Sequence, residues 1–396
     1  MSKNKKIFVW YALLQCTYWT ECAIASRYAA VYLQYKGMNN SQLGAVMAVS
    51  SLLSLLLSTR AANLIDRSKK FSVFHAVFFI VIVQLAAAAI LPFVGSIAVL
   101  SVVYCLFVSF YLAENPLIIH ICTVFTVSGE PIRFSTARGM GSFGYAALAS
   151  LIGILLHRTD AGVLPKLAFV ILTLNLLCLC VLSRYGSGIS HSTIRLREKS
   201  GSGSSIMGFV SQNRLFCVMI VGLVLIYAAN TLVNHFSINI IRNVGGNESS
   251  LGYYSALTSM LELPVMFGFD RIMKRVCCST AVKFAAVGFV IRLLSSAMAS
   301  NITEYWLTAF TQAFSYAIMI PAMVRYVTLV IPYKDAAKGQ AFASSAYAAG
   351  QIFADYLGGK MYDAFTVRTT LLIGTAACIL GCVIIFSAMK KAERQS

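Results

Sequence analysis

Charged residues are scarce in this chain. Only 12% of its 396 residues are Asp, Glu, Lys or Arg, whereas 58% are hydrophobic. Soluble domains carry about 25% charged residues, so this composition excludes an ordinary soluble protein. The acids are the scarcest, with 14 Asp and Glu against 32 Lys and Arg. Four of them, Glu21, Glu114, Glu262 and Asp355, nevertheless interrupt long apolar runs, where a carboxylate is costly unless it faces a partner or water.

Several motifs of enzymes and metal proteins are absent from the sequence. No GxxxxGK[ST] loop is present, which argues against ATP-driven pumping, and no Ser-His-Asp or His-Glu-x-x-His pattern suggests hydrolysis. The 11 cysteines lie mostly in apolar runs and form neither a disulfide framework nor a zinc-site spacing with histidine. We therefore expect no enzyme activity, no cofactor and no bound metal.

Apolar runs long enough to cross a membrane fill most of the chain. A span needs roughly 20 apolar residues to cross about 30 Å of hydrocarbon. Twelve runs qualify and are numbered as spans 1 to 12: 7–33, 41–59, 71–92, 97–124, 134–156, 165–183, 214–241, 250–269, 280–299, 304–330, 338–357 and 366–388. All should be helices, because irregular backbone facing lipid leaves its amide groups unpaired. The sequence predicts an all-α integral membrane protein.

Lysine and arginine lie mainly in alternate loops. They cluster before span 1, in the loops after spans 2, 4, 6, 8 and 10, and after span 12. A basic excess marks the cytoplasmic side, so both termini are predicted to be cytoplasmic in a cell membrane, plasma or inner. The net charge of +18 thus reflects contact with a lipid bilayer, and we expect no nucleic-acid partner.

One long polar segment divides the chain. Residues 184–207 are basic and rich in Gly and Ser, which is typical of a flexible linker. The division predicts an N-terminal six-helix bundle at 1–184, a cytoplasmic linker at 185–207 and a C-terminal six-helix bundle at 208–396. We expect the chain to work as a monomer.

The two halves carry the same dipeptide at the same point. Asp66-Arg67 follows span 2 and Asp270-Arg271 follows span 8, each with further basic residues. The alternative reading is that any cytoplasmic loop attracts basic residues. A duplicated six-helix unit with a cytoplasmic linker is the layout of a transporter that works by alternating access.

The loop after span 2 carries a family resemblance. Ala62-Asn63-Leu64-Ile65-Asp66-Arg67-Ser68-Lys69-Lys70 resembles the signature loop G-x-L-x-D-R-x-G-R-R of the major facilitator superfamily, with Ala62 and Lys69 in place of its glycines. In that family the aspartate caps and bridges helix ends between the two halves in the outward-facing state. The resemblance implies two pseudo-symmetric bundles and a gating role for Asp66 and Arg67, and the repeat extends that role to Asp270 and Arg271.

Further stretches resemble the lactose permease and phenylpropionic acid permease group of proton symporters. They are residues 137–144 in span 5, 251–253 and 261–263 in span 8, 290–294 in span 9, and 339–341 and 358–363 in and after span 11. The chain departs from the group at Ile119, which follows Pro116 where those permeases have an acid. Apart from Glu304 at its outer end, span 10 also lacks the acid and the histidine of lactose permease. These departures speak against lactose as the solute and against a copy of that proton relay.

Glu262 in span 8 and Arg292 in span 9 are predicted to pair. They lie about 12 Å and 18 Å from the cytoplasmic ends of their helices, and consecutive antiparallel helices place them near one another. A buried Glu and Arg satisfy each other, whereas either alone is very costly. Glu262 could take up a proton when a solute competes for Arg292. The alternative is a permanent structural bridge.

Glu114 lies in the middle of span 4 and precedes Asn115 and Pro116. Proline removes one backbone hydrogen bond and frees a carbonyl one turn earlier. An acid, an amide and a free carbonyl at one level predict a polar site, so we include Glu114 among the proton-coupling candidates. The alternative is a helix kink whose protonated carboxyl bonds to a neighbouring helix.

Span 1 supplies three candidates for solute binding. Glu21 and Arg27 are six residues apart, about 240° around a helix, so they should not pair with each other. In transporters of this class span 1 lines the cavity, which makes both candidates, although Arg27 could instead extend to the outer interface. Trp19 is the most plausible ring for stacking on a solute.

The remaining solute-binding candidates are Arg138, Asn230 and His235. The arginine that matches Arg138 in lactose permease holds substrate hydroxyls, which the resemblance carries over; the position alone favours an interfacial role. Asn230 and His235 in span 7 could hydrogen-bond a polar solute, as could Gln84 and Gln312, or each could join helices. Asp355 is predicted to be an interfacial or lid residue near the end of span 11.

These features predict a secondary active transporter of a small organic solute, namely a sugar, a nucleoside or an aromatic acid. Buried carboxyl groups favour proton symport by alternating access, with protons and the solute as partners. One alternative is proton-driven efflux of lipophilic compounds, although the arginines favour solutes with hydroxyl or carboxylate groups. A different class is a membrane solute sensor without transport, which would usually add a soluble output domain.

Overall fold

Helices form all of the regular secondary structure in the described part of the chain. The computed structural model describes residues 3–67, 71–130, 132–186, 206–332 and 335–393, and no strand occurs among them. Within these ranges, nine helices are long and apolar enough to cross a membrane. The three predicted spans outside that set are spans 1, 8 and 11. Each contains a long helix, of 20, 25 and 29 residues respectively, but with more polar side chains.

The chain divides into two compact units, Met1–Ser200 and Gly201–Ser396, called unit 1 and unit 2. Unit 1 holds spans 1 to 6. Their helices are Lys3–Cys22, the π-helical turn Ala23–Arg27 and Ala29–Tyr35 for span 1, Asn40–Arg67 for span 2, Val73–Ile90 with the 3-10 turn Leu91–Phe93 for span 3, Ile97–Val127 for span 4, Phe134–Leu156 for span 5, and the 3-10 turn Ala161–Val163 with Leu164–Gly186 for span 6.

Unit 2 begins, in the described residues, with the short helix Ile206–Gln212 and holds spans 7 to 12. Their helices are Arg214–His235 and Ser237–Asn243 for span 7, Glu248–Ile272 for span 8, Cys278–Met298 for span 9, Ile302–Leu307, the 3-10 turn Thr308–Phe310, Thr311–Phe314 and Tyr316–Val330 for span 10, Ala336–Ala364 for span 11, and Val367–Glu393 for span 12. Most of the predicted linker, residues 187–205, lies outside the described residues.

The two units repeat one packing scheme. In unit 1, span 1 packs on spans 5 and 6, span 3 on spans 4 and 6, and span 2 on span 4. In unit 2, span 7 packs on spans 11 and 12, span 9 on spans 10 and 12, and span 8 on span 10. Adding six to each span number in unit 1 gives the pairs of unit 2. The predicted all-α fold of two pseudo-symmetric bundles is therefore confirmed.

Helix irregularities occur beside polar side chains. Span 1 contains the π-helical turn Ala23–Arg27 directly after Glu21 and Cys22, and span 7, its counterpart in the repeat, breaks at Phe236 directly after His235. Span 10 changes helix type at Thr308–Phe310. Such local departures from α-helix are frequent at functional sites. Span 4, by contrast, is one helix through Pro116.

Candidate functional site

Arg292 is the centre of a polar network inside unit 2. Its side chain is fully buried in span 9. The terminal nitrogens donate to two amides of span 7, Nη1 to Asn230 Oδ1 at 3.0 Å and Nη2 to Asn234 Oδ1 at 3.0 Å. Nη1 also donates to Gln312 Oε1 of span 10. Burial of a guanidinium is unfavourable unless its N–H groups are hydrogen-bonded, and these three amide oxygens meet part of that requirement.

Gln312 connects Arg292 with Glu262. Its amide oxygen accepts from Arg292, and its Nε2 donates to Glu262 Oε1 of span 8. The structure thus brings the two predicted partners into one network with a neutral amide between them. The sequence argument relied on direct packing of spans 8 and 9, whereas both of these spans pack on span 10, which carries Gln312. Glu262 is half-buried, in contrast to the buried guanidinium.

Two buried donors of this network have no hydrogen-bond partner among the described residues. They are Arg292 Nε and Asn230 Nδ2. Arginine cannot lose its proton at physiological pH, so its unpartnered N–H needs an acceptor. Oxygen atoms of a hydroxyl or carboxylate are suitable acceptors for both groups. The network is therefore chemically suited to bind an oxygen-rich solute.

His235 and Asp355 form a second polar contact in unit 2. His235 Nδ1 and Asp355 Oδ1 are 2.6 Å apart, and Asp355 Oδ2 has no partner among the described residues. The prediction that Asp355 lies at the interface or in a lid is wrong, because its helix continues to Ala364 and the residue is 0% exposed. Sequence reasoning considered both residues but missed their contact, which follows from the packing of span 7 on span 11.

Glu114 is enclosed by amides inside unit 1. Its Oε2 accepts from Gln84 Nε2 of span 3 at 2.9 Å, and its Oε1 accepts from Asn175 Nδ2 of span 6 at 3.1 Å. All three side chains are 0% exposed. These contacts agree with one part of the alternative interpretation, in which the carboxyl bonds to neighbouring helices; its protonation and a helix kink stay predictions.

Glu21 is also fully buried in unit 1, and neither of its carboxyl oxygens has a hydrogen-bond partner among the described residues. The carboxyl group lies within electrostatic range of Glu114. Beside them, the rings of Tyr18 and Tyr111 stack at 5.0 Å between centroids and 16° between planes. Glu21 therefore lies in the interior of the bundle, on a helix that contacts span 4 through Tyr18 and Tyr111.

Trp19 and Arg138 meet on another face of span 1. The Arg138 guanidinium lies 3.4 Å from the centroid of the Trp19 ring, and its Nη1 donates to Ser142 Oγ at 2.8 Å. Gly141 permits this approach, since a Cβ there would be 2.6 Å from Trp19 Cδ1. Trp19 precedes Glu21 by two positions, about 200° around the helix, so the two side chains face different neighbours.

Arg27 points to span 5 from the end of the π-helical turn. It is 9% exposed, and its Nε donates to the Tyr145 hydroxyl at 3.2 Å. The suggestion that it reaches the outer interface is therefore not what the structure shows. Arg27 and Arg138 bond to different side chains of span 5.

The gating candidates lie at the ends of spans 2 and 8. Asp66 and Arg67 end the helix Asn40–Arg67, and Asp270 and Arg271 belong to the last turn of Glu248–Ile272. The side chains of Asp66, Arg67 and Asp270 are outside the described residues, while Arg271 is exposed. Their gating role stays a prediction. Among the residues that the structure describes, no three His, Cys, Asp or Glu side chains are grouped to hold a metal ion.

Two amides of these networks, Asn234 and Asn175, were not among the sequence candidates. Asn234 follows Asn230 by four residues and so shares its helix face, which is a signal that the sequence does contain. Asn175 is the one asparagine of span 6. Its contact with Glu114 depends on the packing of span 6 on the neighbouring helices and has no local sequence signal.

Comparison with known proteins adds a family and a fold. A family model described as "MFS_1 like family" matches residues 8–373. The nucleoside transporter NupG superposes with a TM-score of 0.74 at 12% identity, over 98% of this chain and 100% of that chain. A D-xylose-proton symporter superposes with a TM-score of 0.74 at 10% sequence identity, over 97% of this chain and 97% of that chain. The peptide transporter POT in complex with sulfate superposes with a TM-score of 0.73 at 13% sequence identity, over 100% of this chain and 99% of that chain. Among curated proteins, no match is found.

The solved structures share the fold of this chain, and the family model covers nearly all of it. The major facilitator fold expected from the loop after span 2 is confirmed, and the protein is a multi-pass membrane protein. The narrower likeness to the lactose and phenylpropionic acid permeases is not confirmed by these matches. By the extent of the match over residues 8–373, the chain belongs to the MFS_1 like family.

Proposed function

We propose that this protein is a secondary transporter that moves a small organic solute together with protons by alternating access of its two units. The family and the fold support transport over catalysis, in agreement with the absence of enzyme motifs. The observation that carries the proposal is the buried connection from Arg292 through Gln312 to Glu262. The same proposal places both termini in the cytoplasm and retains the gating role of Asp66, Arg67, Asp270 and Arg271.

Solute recognition in this proposal uses the free donors of unit 2. Arg292 Nε and Asn230 Nδ2 are buried and have no partner among the described residues. A hydroxyl or carboxylate oxygen would satisfy them, and leaving them unsatisfied is unfavourable. Sugars, nucleosides and aromatic acids all carry such oxygens, so these three classes remain the proposed solutes. The sequence likeness to the lactose and phenylpropionic acid permeases points to the same range.

Proton coupling in this proposal works through competition for Arg292. When a solute oxygen at Arg292 competes with Gln312 for the guanidinium, Gln312 loses its contact with Nη1 and its position toward Glu262 changes. Glu262 is half-buried, so it can exchange a proton with water. Protonation removes a charge that is unfavourable in a membrane span and so lowers the barrier to the change between the two open states.

Uptake into vesicles tests this function. The purified protein is reconstituted and offered a panel of labelled sugars, nucleosides and aromatic acids, with an imposed pH gradient and with or without a protonophore. We expect accumulation of at least one class, and we expect the protonophore to abolish it. The Glu262→Gln variant should lose proton-driven accumulation yet retain solute exchange. Full accumulation by this variant would refute the role of Glu262.

A matched control shows whether the effect of Glu262→Gln is specific to that position or follows from the loss of any carboxylate on the same helix. Glu248 lies at the start of the same helix in an ion pair with Arg242, whose Nη2 donates to Glu248 Oε1 at 2.6 Å. The Glu248→Gln variant changes the same chemical group outside the network. It should accumulate the solute like the wild type.

A further inference from the structure

A groove lies at one end of unit 2, where span 9 ends and span 10 begins. Its volume is about 360 Å³, and it is lined by Ser295, Met298, Ala299, Glu304, Leu307, Thr308 and Thr311. Pockets that bind small molecules typically measure about 300–1,000 Å³. Neither Arg292 nor Glu262 is among the lining residues, so this span 9–10 groove is distinct from the network of the proposed function.

The apolar part of the lining lies on the outside of the bundle. Met298, the last residue of the span 9 helix, and Leu307, in the first helix of span 10, are each 62% exposed. Next to Leu307, the Trp306 ring contacts the Tyr253 ring at 6.3 Å between centroids. Tryptophan and tyrosine are enriched where a membrane meets water. The groove is therefore placed at the membrane–water boundary, on the side opposite the basic loops.

Glu304 is the charged side chain of the groove among its described lining residues. Its Oε2 accepts from the backbone N–H of Ser300 at 2.7 Å, and its Oε1 accepts from Asn301 Nδ2 at 2.8 Å. Asn301 Oδ1 in turn accepts from the Glu304 N–H at 2.9 Å. An ionised carboxylate has about four acceptor positions. The loop thus fixes the carboxylate and leaves acceptor capacity for a ligand.

The three hydroxyl groups of the lining also present acceptors. Ser295 Oγ donates to the Arg292 carbonyl oxygen at 3.0 Å. Thr308 Oγ1 donates to the Tyr305 carbonyl oxygen at 2.7 Å, and Thr311 Oγ1 donates to the Thr308 carbonyl oxygen at 2.5 Å. A hydroxyl group has one hydrogen, which each of them uses on the backbone. What remains for a ligand is oxygen lone pairs.

The polar side chains of the groove therefore accept hydrogen bonds, donate none to a ligand and carry one negative charge. A matching ligand supplies N–H donors and a positive charge, together with an apolar part for the exposed walls. We propose that the groove binds a membrane phospholipid whose headgroup ends in a primary ammonium group. The ammonium group lies at Glu304, and an acyl chain lies along Met298 and Leu307.

This inference is independent of the proposed function. Lipid binding is measured on the purified protein without a solute, a pH gradient or transport. A failed solute uptake experiment would therefore leave it standing, and a protein that transports without selecting this lipid would leave the proposed function standing.

Native mass spectrometry of the purified full-length protein tests the site. The protein in detergent is titrated with phosphatidylethanolamine, phosphatidylcholine or phosphatidylglycerol, all with the same acyl chains. The wild type should bind phosphatidylethanolamine most tightly, because choline has no N–H group and phosphatidylglycerol has no positive charge. Glu304→Gln should weaken phosphatidylethanolamine binding about tenfold, since a charge-assisted hydrogen bond becomes a neutral one. Binding of phosphatidylcholine should not change.

Two further variants make this result specific. Glu248→Gln removes a carboxylate at the start of span 8, outside the groove, and should bind the three lipids like the wild type. Ala299→Leu keeps Glu304 but fills part of the groove, so it should weaken phosphatidylethanolamine binding with the charge intact. Ala299 has an extended backbone, with φ −60° and ψ 124°, which leucine also adopts. This variant serves equally if Glu304→Gln is not recovered in folded form.

Three results would overturn the proposal. Equal affinity of the wild type for phosphatidylethanolamine and phosphatidylcholine would show that N–H donors are not recognised. A preference that Glu304→Gln retains, or that Glu248→Gln loses to the same extent, would place the headgroup elsewhere. Wild-type binding by Ala299→Leu would show that no lipid occupies the groove.

Discussion

His235 and Asp355 join span 7 to span 11 through one contact of 2.6 Å inside unit 2. Asp355 is 0% exposed and His235 is 7% exposed, so neither has ready access to water. His235 is the last residue of the helix Arg214–His235. A buried pair of this type adds little net stability compared with apolar residues, but removal of one partner leaves the other uncompensated.

Single and double substitutions at this pair should therefore behave very differently. We expect His235→Leu and Asp355→Leu each to lower the free energy of unfolding by about 3–5 kcal/mol, whereas the double variant stays close to the wild type. Thermal unfolding of the purified protein in detergent gives the comparison. If the losses of the two single variants simply add in the double variant, the two side chains are not coupled and the contact has no energetic importance.

At the level of single residues, the sequence predicted which charged side chains belong to polar sites, but it did not predict their hydrogen-bond partners. Glu21, Glu114 and Arg292 stand out because a charge in an apolar run is unfavourable. Their amide partners, such as Asn175 and Asn234, carry no charge and interrupt the apolar pattern only slightly. Which amide meets which charge depends on helix rotation and packing, which the local sequence does not encode.

At the level of helices, the apolar pattern predicted where spans occur but missed how they are interrupted. The breaks in spans 1, 7 and 10 involve one to five residues and leave the mean composition unchanged. The end of span 11 was predicted too early. The apolar run ends at residue 357, yet the helix continues to Ala364. Within this extension Gly358 packs on span 7, where an added Cβ would be 2.3 Å from Leu232 Cδ2. Tertiary packing overrides local helix propensity at this position.

The contact of spans 1 and 5 allows a test of helix packing. Gly141→Ala places a methyl group against Trp19 and the Gln15 carbonyl oxygen, at 2.6 and 3.0 Å. We expect a loss of about 1–3 kcal/mol in stability, typical of overpacking, and displacement of the Trp19 ring from Arg138. The melting temperature and the tryptophan fluorescence report the two effects.

Gly268→Ala is the matched control for this substitution. Gly268 is also helical, but an added Cβ there would meet no atom within 4 Å. Alanine is the better helix former, so this variant should be at least as stable as the wild type. A Gly141→Ala protein that melts and fluoresces like Gly268→Ala would contradict the close contact between the two spans.

At the level of the whole molecule, the two units share a packing scheme but differ in their polar interiors. Among the described residues, unit 1 has buried acceptors without donors at Glu21, Gln84 and Asn175, while unit 2 has unpartnered donors at Arg292 and Asn230 and an unpartnered acceptor at Asp355. The unpartnered donors of unit 2 suit an oxygen-bearing solute. The repeat in the sequence predicts the shared packing scheme, because the apolar runs mark the helices that pack in each unit. The repeat does not predict the difference between the polar interiors of the two units. That difference depends on which polar atoms remain unpaired after the helices have packed.

The orientation of the molecule in the membrane can be tested with one cysteine. Cys277 follows span 8 and is the exposed member of the eleven cysteines, all of which lie in the described residues. The basic residues around it, including Lys274 and Arg275, predict that this loop is cytoplasmic. A membrane-impermeant maleimide should therefore leave the protein unlabelled in intact cells and label it after permeabilisation. Cys277→Ser should stay unlabelled after permeabilisation as well. Labelling of Cys277 in intact cells would invert the orientation and place both termini outside.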